Sequence, residues 1–118
     1  MSLNRIRVDR LTPLPQGKEL FAWSHHARVP AQPGCYAIAN FSGDVLYVGQ
    51  AKVSIRDRMR VHLDDNLKRA CGPMGAAYWF YYRLCEPRQA GYIEGGWINQ
   101  AKLETGDRPP LNKIDSPL

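Results

Sequence analysis

Between Pro33 and Leu63 the chain reads PGCYAIANFSGDVLYVGQAKVSIRDRMRVHL, and this stretch gathers the residues that could do chemistry: Tyr36, Tyr47, Lys52, Arg58 and His62. A phenol titrates near 10, so a tyrosine acting as a base near neutrality must drop by about three pKa units, worth roughly 4 kcal/mol. Neighbouring cations favour the phenolate, and Lys52 and Arg58 are the nearest in sequence. The planar fork of Arg58 also suits a phosphate group, to which it can donate two parallel hydrogen bonds. Each residue has a plain structural use as well. Paired strand tyrosines can be cross-strand packing, a helical arginine can lie along the surface, and an inward histidine can be a hydrogen-bonded core residue.

The elements that must position these residues are legible from local pattern. Pro33 biases the chain toward extended conformations, so Gly34 to Phe41 reads as a strand; Ser42-Gly43-Asp44 is a hairpin signal; Asp44 to Val48 is a second strand, which Gly49 ends. An even-length loop pairs even-numbered with odd-numbered residues and puts Tyr36 and Tyr47 on one sheet face, whereas a three-residue loop would separate them. Ser54, with Asp57 three residues on, resembles a capping box that opens a helix from Ile55 to about Leu63. Its inward stripe is Ile55, Arg58, Met59, His62 and Leu63, which leaves Arg56 and Arg60 toward solvent.

Further on, Ala77 to Leu84 is aromatic enough for a third strand, with Trp79 and Tyr81 read as core and base stacking as their alternative use. A second helix follows Pro87, using Tyr92, Ile93, Trp97, Ile98 and Ala101 as its apolar face, until Gly106 to Pro110 stops it. Gly91, Gly95 and Gly96 weaken that helix by roughly 1 kcal/mol each relative to alanine, which predicts close packing of its backbone on a neighbour.

A length of 118 residues fits one domain. Residues 1–32, proline-rich and with one short helix candidate at Gly17 to Trp23, read as an arm packed on the globular part, residues 33–118. A formal charge of +5 favours a polyanionic partner, because clustered Lys and Arg release phosphate counterions. Three cysteines without a C-x-x-C pair exclude a disulfide framework and a common zinc signature, so a reducing, cytoplasmic setting is expected. Adjacent His25 and His26 point apart and make a poor metal pair, so they are read as surface residues. No run approaches the ~18 apolar residues of a membrane span, and no membrane role is expected.

Taken in order, Gly34-Cys35-Tyr36, then Leu46-Tyr47-Val48-Gly49, Ala51-Lys52, Arg58, His62, Glu94 within YIEGGWI and Asn112 in PPLNK resemble the GIY-YIG nuclease superfamily over residues 33 to 113. The resemblance implies an α+β fold, a small three-stranded antiparallel sheet flanked by helices, that hydrolyses DNA phosphodiesters with one divalent cation, Mg2+ or Mn2+. Family members include homing endonucleases, an excision-repair incision subunit, junction-resolving nucleases and some restriction enzymes. Carried over, Tyr36 and Tyr47 are the motif tyrosines, one of which assists deprotonation of the attacking water, with Lys52 beside them. Arg58 holds the scissile phosphate, His62 sits at the site edge, and Glu94 binds the cation; Gly34, Gly49 and Asn112 support the site. The segment from Gly49 to Arg58 is one residue longer than the usual family spacing, which is why Arg58 and not Arg56 is aligned. Arg56, Arg60, Lys68 and Arg69 form the expected phosphate-tracking patch, and a protein partner could supply targeting. The alternative is a nucleic-acid-binding module that keeps the fold without cleaving. A purely structural interaction domain would leave the order of the motifs to chance.

Overall fold

The computed structural model describes residues 5–65 and 75–113. The fold is α+β, with four antiparallel strands, β1 (Gly17–Leu20), β2 (Gly34–Ala39), β3 (Val45–Ala51) and β4 (Trp79–Leu84), in the order β1-β4-β2-β3. Helices α1 (Ile55–Leu63) and α2 (Pro87–Thr105) flank the sheet, with 3-10 turns at Val8–Arg10, Trp23–Arg28 and Pro110–Lys113. The expected three-stranded sheet is therefore corrected to four. The extra strand comes from the segment read as a helix, since Gly17–Leu20 pairs with Trp79–Tyr82 of β4. An isolated helix this short is marginal, whereas the open side of β4 offers a full row of unpaired backbone groups.

The hairpin delivers the expected tyrosine geometry by an unexpected route. Tyr36 pairs with Gly49 and Ile38 with Tyr47, so both tyrosines share one face, with ring centroids 6.3 Å apart. Yet the loop Asn40–Asp44 is odd in length, since Ala39 pairs with Val45. A bulge between these two registers, with Leu46 as the extra residue, restores the parity that the loop alone would reverse. The turn itself lies at Asn40–Gly43, where Gly43 N–H donates to the Asn40 carbonyl at 3.0 Å and Gly43 takes φ 91°. Gly49 does not end β3 either, because the strand continues to Ala51. Glycine is needed there for a different reason: a Cβ would fall on the Tyr36 ring that lies across it.

β2 is buried along its whole length because both faces of the sheet are covered. On one face Cys35, Ala37 and Val48 pack with Ala90, Trp97 and Ala101 of α2 and with Ile6, Val8 and Leu11. On the other, Tyr36, Ile38, Tyr47 and Phe80 pack with Ile55, Met59 and Leu63 of α1 and with Phe21 and Val29. The N-terminal arm is thus woven into the fold, contributing β1 and core side chains to both layers. Trp97 Nε1–H donates to the Pro13 carbonyl at 2.9 Å, which straps the arm to α2.

Two expectations about α2 are corrected. Tyr92 lies five residues from buried Trp97, about 140° round the helix, and is 86% exposed. Gly95 and Gly96 would meet nothing within 4 Å on gaining a Cβ, and Gly91 only the Gln50 amide at 3.7 Å, so the glycines form an open surface and not a packing seam. Cys35 and Cys85 are free thiols, and the buried Cys35 S–H donates to the Ala90 carbonyl at 3.1 Å. Cys71 lies outside the described residues. Among the described residues no helix is long and apolar enough to cross a membrane.

Candidate active site

Helix α1 starts where the sequence places it. Ser54 Oγ accepts from Asp57 N–H at 3.2 Å, and Ile55 N–H donates to the Gln32 carbonyl at 2.9 Å, which ties the helix start to the arm. The inward stripe then carries Arg58 and His62 against the sheet. His62 is 2% exposed and lies beneath the tyrosines, not at the site edge as expected. Its ring centroid is 5.4 Å from Tyr36 and 4.8 Å from Tyr47, and Nε2 shares a 2.7 Å hydrogen bond with Tyr36 Oη. Position i+7 on the stripe, next to fully buried Leu63, puts it in the core layer and makes it a residue that orients Tyr36. Phe80 stacks on Tyr36 at 5.1 Å and fixes the ring from the other side.

An open cleft of about 480 Å3 is lined by Tyr36, Tyr47, Gly49, Gln50, Ala51, Lys52, Arg58 and Glu94. Six of the expected residues, Gly49 among them, therefore meet in one place, brought by β2, β3 and its exit, α1 and α2. Glu94 belongs to the helix on the opposite sheet face, and it reaches the cleft because β3 is the sheet's edge strand. Beyond Gly49 the strand alternation turns Gln50 to the α2 side, where Nε2–H donates to Glu94 Oε1 at 2.9 Å. The sequence reading missed Gln50. The signal was available in the alternation of β3, which puts Gln50 opposite to Tyr47 and Gly49.

The protein's own groups do not by themselves lower either phenol. Burial pushes the Tyr36 phenol up from its ordinary value; Tyr47 adds to this, Arg58 opposes it by hydrogen bond and charge, and Glu94 again pushes up. Burial likewise raises Tyr47, with Glu94 reinforcing and Arg58 opposing. On the protein's own groups both phenols stay protonated at neutral pH, because desolvation, invisible in the sequence, outweighs Arg58. Lys52 is exposed at the cleft mouth. Arg58 is half-buried, and its buried Nε has no hydrogen-bond partner among the described residues. A buried donor left unpaired costs about 1–3 kcal/mol, which an anion in the cleft would recover.

Among the described residues no group of three or more His, Cys, Asp or Glu side chains gathers into a metal cluster. Among the described residues Glu94 is the only carboxylate that lines the cleft, raised by burial and pulled back by the Gln50 amide. A single carboxylate suits a hard cation that keeps most of its shell for water and phosphate, so the oxygen donor here fits Mg2+ or Mn2+. Gln50→Leu is expected to weaken Mn2+ binding by about tenfold, as loss of a ligand's supporting partner does, read by calorimetric titration with the melting temperature as control. An unchanged affinity would show that Glu94 is oriented by something else.

The supporting residues divide clearly. Asn112 accepts from Val48 N–H at 2.8 Å and donates to the Val48 carbonyl at 2.9 Å, standing in for a neighbouring strand on the open edge of β3 beside Tyr47. A Cβ at Gly34 would press on the Arg83 carbonyl and on Ile55, so glycine lets β2 start against α1. In the expected phosphate patch, Arg56 is corrected from solvent-facing to half-buried: Nε donates to the Val29 carbonyl at 2.7 Å and Nη2 to the Ala27 carbonyl at 3.2 Å. The Trp23–Arg28 turn, with Val29 that caps it, folds back over α1 and supplies these acceptors. His26, half-buried, donates from Nε2 to the Arg56 carbonyl at 3.0 Å across the same contact. Arg60 is exposed, 3.8 Å from Asp57. Lys68 and Arg69 lie outside the described residues.

No family model matches the chain, and no curated protein matches it, so the functional reading rests on the residues of this cleft.

Proposed function

We propose that this protein is a metal-dependent endonuclease of GIY-YIG type that hydrolyses DNA phosphodiester bonds. The observation that carries the reading is Arg58: a guanidinium whose buried Nε has no partner among the described residues opens on the cleft that also holds Tyr36, Tyr47 and Glu94. Arg58 binds the scissile phosphate and balances charge on its non-bridging oxygens. Glu94, held by Gln50, would carry Mg2+ or Mn2+, which when bound supplies Lewis-acid charge neutralisation. A protonated Tyr36 can take a proton from the attacking water only by passing its own on, and His62 Nε2 at 2.7 Å is the acceptor within reach. Tyr47, also protonated, lines the cleft beside Tyr36 and helps shape the place where phosphate and water meet. Lys52 at the mouth, with Arg60 outside, guides the backbone in. DNA as substrate goes with a cytoplasmic setting and with a partner protein for targeting.

The upward shift of both phenols favours a second reading, a nucleic-acid-binding module that retains the fold but does not cleave. Nicked, flapped, branched and supercoiled DNA, each incubated with the protein and Mg2+ or Mn2+ beside a Glu94→Ala control, separates the two. Metal-dependent cleavage that falls to baseline in Glu94→Ala is the expected result. Binding without cleavage on every substrate would establish the module, and cleavage surviving in Glu94→Ala would place the chemistry elsewhere.

A further inference from the structure

A second groove lies at the other end of the sheet from the cleft. The cleft opens beside Gly49 to Ala51, where β3 pairs with the start of β2, whereas the groove opens beside the Asn40–Gly43 turn and the start of β4. Its volume is about 460 Å3, and Arg7, Lys18, Phe41, Trp79 and Tyr81 are among its walls. Phe41, at the tip of the turn, is 71% exposed. Tyr78 joins it edge-on at 5.0 Å and meets Trp79 at 4.8 Å, so three rings form a continuous ladder along the rim. Lys18 Nζ sits 4.1 Å from the Trp79 ring centroid and 5.8 Å from that of Tyr81. Arg7 also lines the groove, its guanidinium beside Gly43, half its side chain in solvent and 3.8 Å from both Asp9 and Asp44.

We infer that this groove binds single-stranded DNA, with a base stacked on Phe41 at the exposed end of the ladder and phosphates on Lys18 and Arg7. The pairing of an exposed aromatic ring with nearby cations matches what each nucleotide presents, a π-face and a phosphate, without reading sequence. The net charge of +5 gives the same partner a long-range attraction. Phe41 also occupies a turn tip where small polar residues are the usual choice, and beyond its edge contact with Tyr78 most of its surface stays in solvent. This inference does not depend on whether the cleft cleaves.

The test uses a fluorescein-labelled oligothymidine, EDTA to suppress cleavage, and anisotropy readout with the full chain carrying Arg58→Ala, so that the cleft contributes little. Phe41→Ser and Lys18→Glu are each expected to weaken binding about tenfold. Lys18→Ala should lower the slope of log affinity against log salt by about 0.7, the share of one phosphate contact on a single strand. Leu103→Ser, at an exposed position of α2 outside the groove, should change nothing. Unaltered affinity in both Phe41→Ser and Lys18→Glu would overturn the inference. So would salt-independent competition by a proline-rich peptide, which would assign the groove to a polypeptide instead.

Discussion

Arg58→Ala is expected to lower DNA cleavage by about a thousandfold, while Arg56→Ala keeps kcat within about threefold of the parent and loses stability instead. The two arginines sit two residues apart on the same helix, so charge and composition alone do not distinguish them. Geometry does. Arg58 lines the cleft with a buried Nε that has no partner among the described residues, and its charge is the one that favours the ionised form of both tyrosines. Removing it deletes the phosphate ligand and the local positive potential together. Arg56 spends its guanidinium on the Val29 and Ala27 carbonyls, and its loss leaves those acceptors short by about 1–2 kcal/mol in a urea titration. Arg58→Lys should recover only part of the rate, because an ammonium is a point charge without the planar fork. Activity lost in Arg56→Ala and kept in Arg58→Ala would show that the extra residue between Gly49 and the helix is placed wrongly in the alignment. Equal losses in both would point to a general electrostatic role for the α1 face.

What was legible in the sequence follows from how local each determinant is. Ser54, Asp57 and the stripe through Arg58 and His62 lie within three turns of one helix, and their directions came out as counted. Tyr36 and Tyr47 sit on one face as counted, although the loop is odd in length and the parity depends on the bulge at Leu46, which no turn signal announces. Determinants that act across the chain were out of reach. β1 forms because β4 presents an open edge more than fifty residues later, and Arg56 is half-buried because the Trp23–Arg28 turn folds back over α1. The phenols rise because of desolvation by the assembled core, a quantity with no sequence signature. Asn112 was legible as a member of a motif, but its paired bonds to Val48 make sense only once β3 is known to be an edge. The same edge explains how Glu94, on the far face, shares a cleft with Tyr36: a more central strand would have kept the two layers apart.

Alanine at two glycines should move stability in opposite directions, and the contrast tests how rigidly the site is built. Gly95→Ala on α2 is expected to stabilise the protein by about 1 kcal/mol, since the position is exposed, meets nothing within 4 Å and relieves the helix of a glycine. Gly49→Ala is expected to destabilise it by about 2–3 kcal/mol, in the range of core overpacking. The atoms a Cβ would strike are at the tip of Tyr36, and a free side chain would swing aside cheaply. Gly17 on the exposed edge strand is such a case, because its obstacle, Tyr82, is only half-buried. Tyr36 has no such freedom. It is fully buried, stacked on Phe80 at 5.1 Å and bonded to His62 at 2.7 Å, so moving its ring breaks a hydrogen bond and a packed layer together. Denaturant midpoints of the two variants measure the contrast, and cleavage by Gly49→Ala should fall with its stability, because the displaced hydroxyl belongs to the cleft. A neutral Gly49→Ala would mean that Tyr36 can shift within the core. It could then not be the fixed hydroxyl that the proposed water attack requires.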